Sequence, residues 1–127
     1  MQEKHLFEYA VIRIVPRVER EEFLNVGVIL YCRNQNFLQA MYHLNEKRIS
    51  YFCSELNIVE LENYLHTFVR ISNAEKDAGP IAKLPLAERF RWLTATRSTI
   101  IQTSKVHPGF SKDPAETLKK LFNQLVL

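Results

Sequence analysis

Arginine is the residue type through which this sequence offers the most chemistry. Arg17 and Arg20 fall on one early segment; Arg89, Arg91 and Arg97 fall on a later one. A planar guanidinium presents a fork of donors that grips two oxygens of a phosphate or carboxylate at once. In the later segment, Glu88-Arg89-Phe90-Arg91-Trp92 reads as part of a helix. Glu88 and Trp92 then share a face at i,i+4 spacing, and Arg91 turns away from them. Arg97-Ser98-Thr99 follows after a short turn and sets two hydroxyls beside a guanidinium. Phe90 or Trp92 beside such a group can stack a base. The early segment, Arg17 to Asn25, alternates bases with acids that include Glu22. Runs of that kind ordinarily pair with themselves in solvent. Asn25, directly before an apolar run, can fix the loop by bonding backbone groups. Two readings therefore stand side by side. The arginines form an anion site where the segments meet, with Ser98 and Thr99 contributing, or they pair internally with acids such as Glu88, Glu19 and Glu22 while Trp92 packs in the core.

Other chemistries find less in the sequence. A nucleophilic mechanism would draw on Ser98 or Thr99 with His107 as its base. There is no GxSxG elbow and no carboxylate placed to orient the histidine. The plainer reading has the hydroxyls bonding backbone at a strand start and His107 lying on a surface loop. Glycines 27, 79 and 109 are too far apart to write a phosphate-cradling loop. Histidines 5, 43, 66 and 107 are scattered, with no HxxxH or HExxH spacing, so no metal and no cofactor is expected. Cys32 and Cys53 form no CxxC pair and read as free thiols of a cytoplasmic protein.

The distribution of charge bears on the arginines. The net charge is +3, yet residues 1–57 balance seven bases against seven acids, and residues 58–78 hold two bases and four acids. Residues 79–127 hold eight bases and three acids, so the excess collects there. Such a field attracts anions: a phosphate, a nucleic-acid backbone or an acidic protein face. A membrane span is not expected, because no apolar run approaches the ~20 residues that one needs. The opening MQEKHLFEYA carries acids and lacks the apolar stretch of a signal peptide.

The elements that must position these residues follow from periodicity. The 127 residues suffice for one domain, 1–127, which can hide roughly two thirds of its extended surface. Phe7 to Val15 alternates with period two and reads as a strand with one face largely buried, ended by Pro16. Asn25 to Cys32 is an apolar run suited to a central strand, with Gly27 marking a bulge or a close backbone approach. Phe37 to Tyr42 returns as the second arm of a hairpin. Asn45 to Phe52 suits a short helix. Asn57 caps a longer one through Ser72, with Ile58, Leu61, Leu65, Phe68 and Val69 as its stripe and Tyr64 and Ile71 flanking it. Pro85 opens a helix to about Thr94. Residues 97–103 read as a fourth strand, and 106–112, with Pro108-Gly109, as a loop. Asp113-Pro114 then caps and opens a final helix. The fold class expected is α+β: a small, mainly antiparallel sheet with helices packed on one face.

The stretch Tyr9 to Leu30, YAVIRIVPRVEREEFLNVGVIL, resembles the opening pattern of the bacterial family known as domain of unknown function 3037. The matching residues are Val15, Pro16, Arg20, Glu22, Phe23, Asn25, Val26, Gly27 and Val28. Later pieces follow in order: Gly79-Pro80-Ile81, Pro85 to Leu93, Arg97 to Gln102, Val106-His107-Pro108-Gly109 and Asp113-Pro114. The resemblance carries over no activity, cofactor or catalytic residue. It implies a partner protein, a HipA-like kinase, rather than a free-standing enzyme. The function expected is a non-catalytic cytoplasmic accessory domain that docks a protein partner, with an arginine-lined anion patch. The alternative is a phosphate- or nucleic-acid-handling protein, an enzyme among the options, using the same arginines with Glu22, Ser98, Thr99 and His107.

Overall fold

The computed structural model describes residues 3–97 and 99–127. The chain begins with three strands, β1 (His5–Ile14), β2 (Leu24–Cys32) and β3 (Phe37–Tyr42). Three helices follow: α1 (Glu46–Phe52), α2 (Ile58–Ser72) and α3 (Leu86–Leu93). Two short strands, β4 (Ile101–Thr103) and β5 (His107–Ser111), precede the last helix, α4 (Pro114–Leu125). Single 3-10 turns occupy Val18–Arg20 and Pro80–Lys83. The helix starts follow the capping residues. Asn45 accepts from the Arg48 amide at 3.0 Å, Asn57 from Glu60 at 3.1 Å, and Asp113 from Ala115 at 3.1 Å.

Every strand pairing is antiparallel. β2 lies between β3 and β1, and the far edge of β1 is shared by two short strands. β4 pairs with Ile12–Ile14, and β5 pairs with His5–Tyr9. Ser104 closes the seam between them. Its amide donates to the Val11 carbonyl at 2.8 Å, and its hydroxyl accepts from the Val11 amide at 2.8 Å. A buried backbone pair is thus satisfied where the ladder changes strands.

The expected α+β class with a small antiparallel sheet is what the chain forms. The expected placement of helices on one face is corrected. On one face Ala10, Ile12, Ile14, Ile29 and Tyr31 meet Ile49, Leu61, Leu65, Phe68, Phe90 and Leu93, so α1, α2 and α3 all pack there. On the other, Phe7, Val28, Leu30 and Cys32 meet Leu118, Phe122 and Val126 from the region of α4. The reason lies in β2, which is buried at every position from Val26 to Cys32. A strand apolar on both sides needs cover on both. β1 spans His5–Ile14 where Phe7–Val15 was expected, and two later boundaries also move. The fourth strand begins at Ile101, not at Arg97, and the segment expected as a loop at 106–112 contains β5. Pro108 is tolerated there because β5 is an edge strand. The ring of Phe7 covers Gly109 so closely that an added Cβ would stand 2.5 Å from it.

Tyr42 fastens the end of β3 to α2: its hydroxyl donates to Glu62 Oε1 at 2.5 Å. Burial, then the hydrogen bond and charge of Glu62, push its pKa up to about 12. The unfolded chain releases this proton near the ordinary tyrosine value of about 10. The stabilisation is therefore complete below about pH 10 and is lost as pH rises to about 12. Ultraviolet titration of the folded protein should show one late-ionising tyrosine that vanishes in Tyr42→Phe. An unchanged titration curve in that variant would refute the assignment.

Candidate functional site

The structure disperses the five arginines. Arg17 and Arg20 lie on the β1–β2 connection and line a polar cleft of about 390 Å³ with Pro16, Glu22 and the segment Ser50 to Glu55, which runs from the end of α1 into the residues after it. Arg20 pairs with Glu22, and both are exposed. Glu22 and Glu55 offset the two arginines. Arg91 forks onto Glu8 of β1, at 3.3 and 3.1 Å. Arg89 turns back to the Leu84 carbonyl at 2.7 Å and holds the entry to α3. Glu88 is exposed on that helix. Arg97 donates to the Trp92 carbonyl, and its guanidinium lies 4.1 Å from the centre of the Trp92 ring. Thus Arg20 pairs within its own loop and Arg91 pairs with the sheet, while Arg97 stands over an aromatic face.

The remaining polar candidates also separate. Asn25 donates to the Leu125 carbonyl at 3.2 Å and ties the start of β2 to the end of α4. The His107 ring lies tilted against that of Tyr9, with ring centres 5.4 Å apart. Thr99 donates to the Ile101 carbonyl at 2.7 Å and accepts at its own carbonyl from Gln102 at 2.8 Å. Ile101 lies opposite Ile14 and His107 opposite Tyr9. Those β1 positions are about 17 Å apart at the usual strand rise, and Thr99 lies beyond Ile101. His107 and Thr99 therefore do not meet as base and nucleophile. Ser98 falls outside the described residues. The cysteines are free, Cys32 buried and Cys53 half-buried. No cluster of three or more metal-ligating side chains occurs among the described residues.

What the structure does bring together is an apolar cleft of about 590 Å³ between α2, the end of α3 and β4. Tyr64, Thr67, Phe68 and Ile71 form its α2 wall. Trp92, Leu93 and Arg97 close one side, and Ile100 to Thr103 form the opposite wall. Its volume falls in the range that takes a small ligand or a short peptide segment. The apolar stripe of α2 buries Leu61 and Leu65 in the core, while Phe68 and Ile71 belong to that core and also border the cleft, beside the half-exposed Tyr64. Trp92 is 39% exposed and Tyr64 50% exposed. Arg97 has no carboxylate partner among the described residues, so most of its donors remain available. Of the expected site residues among the described ones, only Arg97 and Thr99 line this cleft. Tyr64 and Ile71 were visible in the sequence as residues beside the α2 stripe, but their spacing assigns them to packing.

A second arginine–aromatic contact was not expected. Arg13 lies 3.8 Å from the ring centre of Phe23. Burial lowers the Arg13 pKa from its ordinary value. This pair clamps the end of β1 to the approach of β2, away from the cleft lining.

These features define an α+β protein built on a five-stranded antiparallel sheet with helices on both faces. The chain belongs to the family described as "Protein of unknown function (DUF3037)", whose model matches residues 9–126. No match was found among curated proteins or among solved structures. No helix of the described residues is long and apolar enough to cross a membrane.

Proposed function

We propose that this chain is a non-catalytic docking module that holds a protein partner in the α2–α3–β4 cleft. The observation carrying this reading is an apolar cleft of about 590 Å³ with exposed Trp92 and Tyr64 and with Arg97 at its side. Tryptophan, tyrosine and arginine dominate binding energy at protein interfaces when an apolar partner excludes water from them. The family resemblance makes a HipA-like kinase the first partner to test, in the cytoplasm. The phosphate- or nucleic-acid-handling alternative draws less support, because Arg20 and Arg91 each face a carboxylate and the front cleft carries acids as well as bases.

Calorimetric titration of a purified HipA-like kinase from the same host is the test. Trp92→Ala and Arg97→Glu are expected to weaken binding tenfold or more while leaving the melting temperature near that of the parent. Arg17→Ala, Arg20→Ala and Arg91→Ala are expected to change it less than threefold. Binding that tracks the front arginines and ignores Trp92 would overturn the assignment of the cleft. An affinity for duplex DNA falling steeply with salt would instead favour the alternative.

A further inference from the structure

We infer that the segment held in this cleft is an extended, acidic peptide added as a further strand to the outer edge of β4. The inference rests on the docking reading above and specifies the shape and charge of what docks.

The first observation is the composition of the cleft wall. Ile100, Ile101, Gln102 and Thr103 are consecutive, and all four line it. Side chains alternate between the two faces of a strand. A wall made of consecutive residues therefore presents a strand edge, not a face.

The second is the backbone bookkeeping of that edge. The Ile100 carbonyl accepts from the Val15 amide at 2.7 Å, and the Ser104 amide donates to the Val11 carbonyl at 2.8 Å. Together with the register Arg13 opposite Gln102, these bonds turn the backbone groups of residues 100, 102 and 104 toward β1. Alternation then turns those of Ile101 and Thr103 outward. The Thr99 hydroxyl confirms the direction by capping the outward Ile101 carbonyl. β4 ends the sheet on this side, and no strand of the described residues pairs with its outer edge. The Ile101 amide and both backbone groups of Thr103 thus form a short, open template beside an apolar floor. A strand edge facing a helix across such a floor is the arrangement that accepts an added peptide strand. Three ladder residues span about 10 Å, so the fitted core of the segment is short.

The third is charge. Arg97 stands at the wall on the Trp92 face without a carboxylate partner among the described residues. It belongs to the stretch 79–127, which holds eight bases and three acids. An incoming strand that alternates apolar residues, aimed at Phe68 and Ile71, with a carboxylate near Arg97 complements both features.

The probe is a displayed library of random dodecapeptides selected on the full chain, with the enriched peptides then synthesised. The expected result is a set of sequences with alternating apolar positions and an acidic residue. Their binding should slow hydrogen exchange of the Ile101 and Thr103 amides tenfold or more. N-methylation of alternate peptide amides should weaken binding tenfold or more, and methylation of the intervening ones should not. Ile101→Pro removes an outward donor without touching the β1 ladder and should abolish binding. The N-methyl scan gives the same information with the protein unaltered, should that variant fail to fold. Peptides that shift the Trp92 and Tyr64 signals yet bind as helices, without slowing those amides, would overturn strand addition and leave the docking reading standing. A failure to enrich any peptide would also overturn it, while the kinase titration judges the docking reading separately.

Discussion

Phe90→Ala is expected to destabilise the protein by about 4 kcal/mol, a loss in the range for removing a buried phenylalanine. Phe90 is fully buried and stacks on Tyr31 of β2, with ring centres 5.1 Å apart and planes 29° from parallel. Its helix has little else to sustain it. α3 has eight residues, and Pro85 at its N-cap position supplies no side-chain cap. An isolated helix shorter than ~12 residues is marginal in water, so α3 stays folded because Phe90 and Leu93 anchor it in the core. The truncation opens a cavity at that anchor, and the melting temperature should fall by about 15 °C. Trp92, the only tryptophan in the chain, reports on the same helix. Urea titration followed by Trp92 fluorescence and by backbone circular dichroism should show both signals moving to lower urea. A midpoint within experimental error of the parent would mean that α3 is held by something other than this stack. The variant also bears on the cleft, because Trp92 and Arg97 ride on the end of α3 and the turn after it.

Where the sequence signals were local, the structure follows them. α2 spans Ile58–Ser72 behind an Asn57 cap, and α4 starts at Pro114 behind Asp113, because cap and apolar stripe coincide at both. β1 to β3 follow their apolar runs to within two residues, because alternation and apolar content are themselves local signals. The later strands were harder to read. β4 is bounded by its pairing: Ile101 lies opposite Ile14, where β1 ends, and one further bond runs from the Val15 amide to the Ile100 carbonyl, so β1 offers the β-branched run before Ile101 no longer template. β5 was hidden because Pro108 and Gly109 ordinarily signal a turn, yet β1 supplies a template and Phe7 covers the glycine. The second covered face was present in the alternation of β1, where Phe7, Val11 and Val15 form an apolar odd-numbered row. What α4 would cover was not legible without the sheet order.

The site divides along the same line. That the net positive charge collects late in the chain is a property of the sequence, but the partners of the arginines are properties of the fold. Glu8 meets Arg91 across the long separation between β1 and α3, and the Leu84 and Trp92 carbonyls that occupy Arg89 and Arg97 are set by turn geometry. Among the described residues, only Arg97 and Thr99 of the expected set reach the apolar cleft. Its walls come from three separated segments, and residues such as Tyr64 and Ile71 carry no local mark of a binding role. The sheet edge at Ile101 and Thr103 is likewise invisible until the register with β1 is known.

Gly27→Val is expected to cost about 3 kcal/mol, near the upper end for overpacking a tight site. The cause is space, not the torsion of the residue. A Cβ added at Gly27 would stand 2.5 Å from the Met41 carbonyl oxygen and 3.1 Å from both Ile12 Cδ1 and Tyr42 Cβ. The nearest of these is backbone of the neighbouring strand, which cannot yield as a side-chain tip can. The register also shifts here: Ile12 lies opposite Gly27, and Arg13 lies opposite Asn25, leaving Val26 as the extra residue of a β-bulge. The bulge changes the phase of β2. Val26 joins the cluster beneath α1–α3, whereas Val28 and Leu30 face α4. It also sets Asn25 within reach of the Leu125 carbonyl. A side chain at 27 forces β2 and β3 apart at the point where that phase is fixed, so the damage should reach both cores. Gly27→Ala should show a smaller loss in the same direction. The check is the urea midpoint at unchanged m-value, together with loss of hydrogen-exchange protection at both Val26 and Val28. Protection lost on one face alone would show that the bulge does not couple the two.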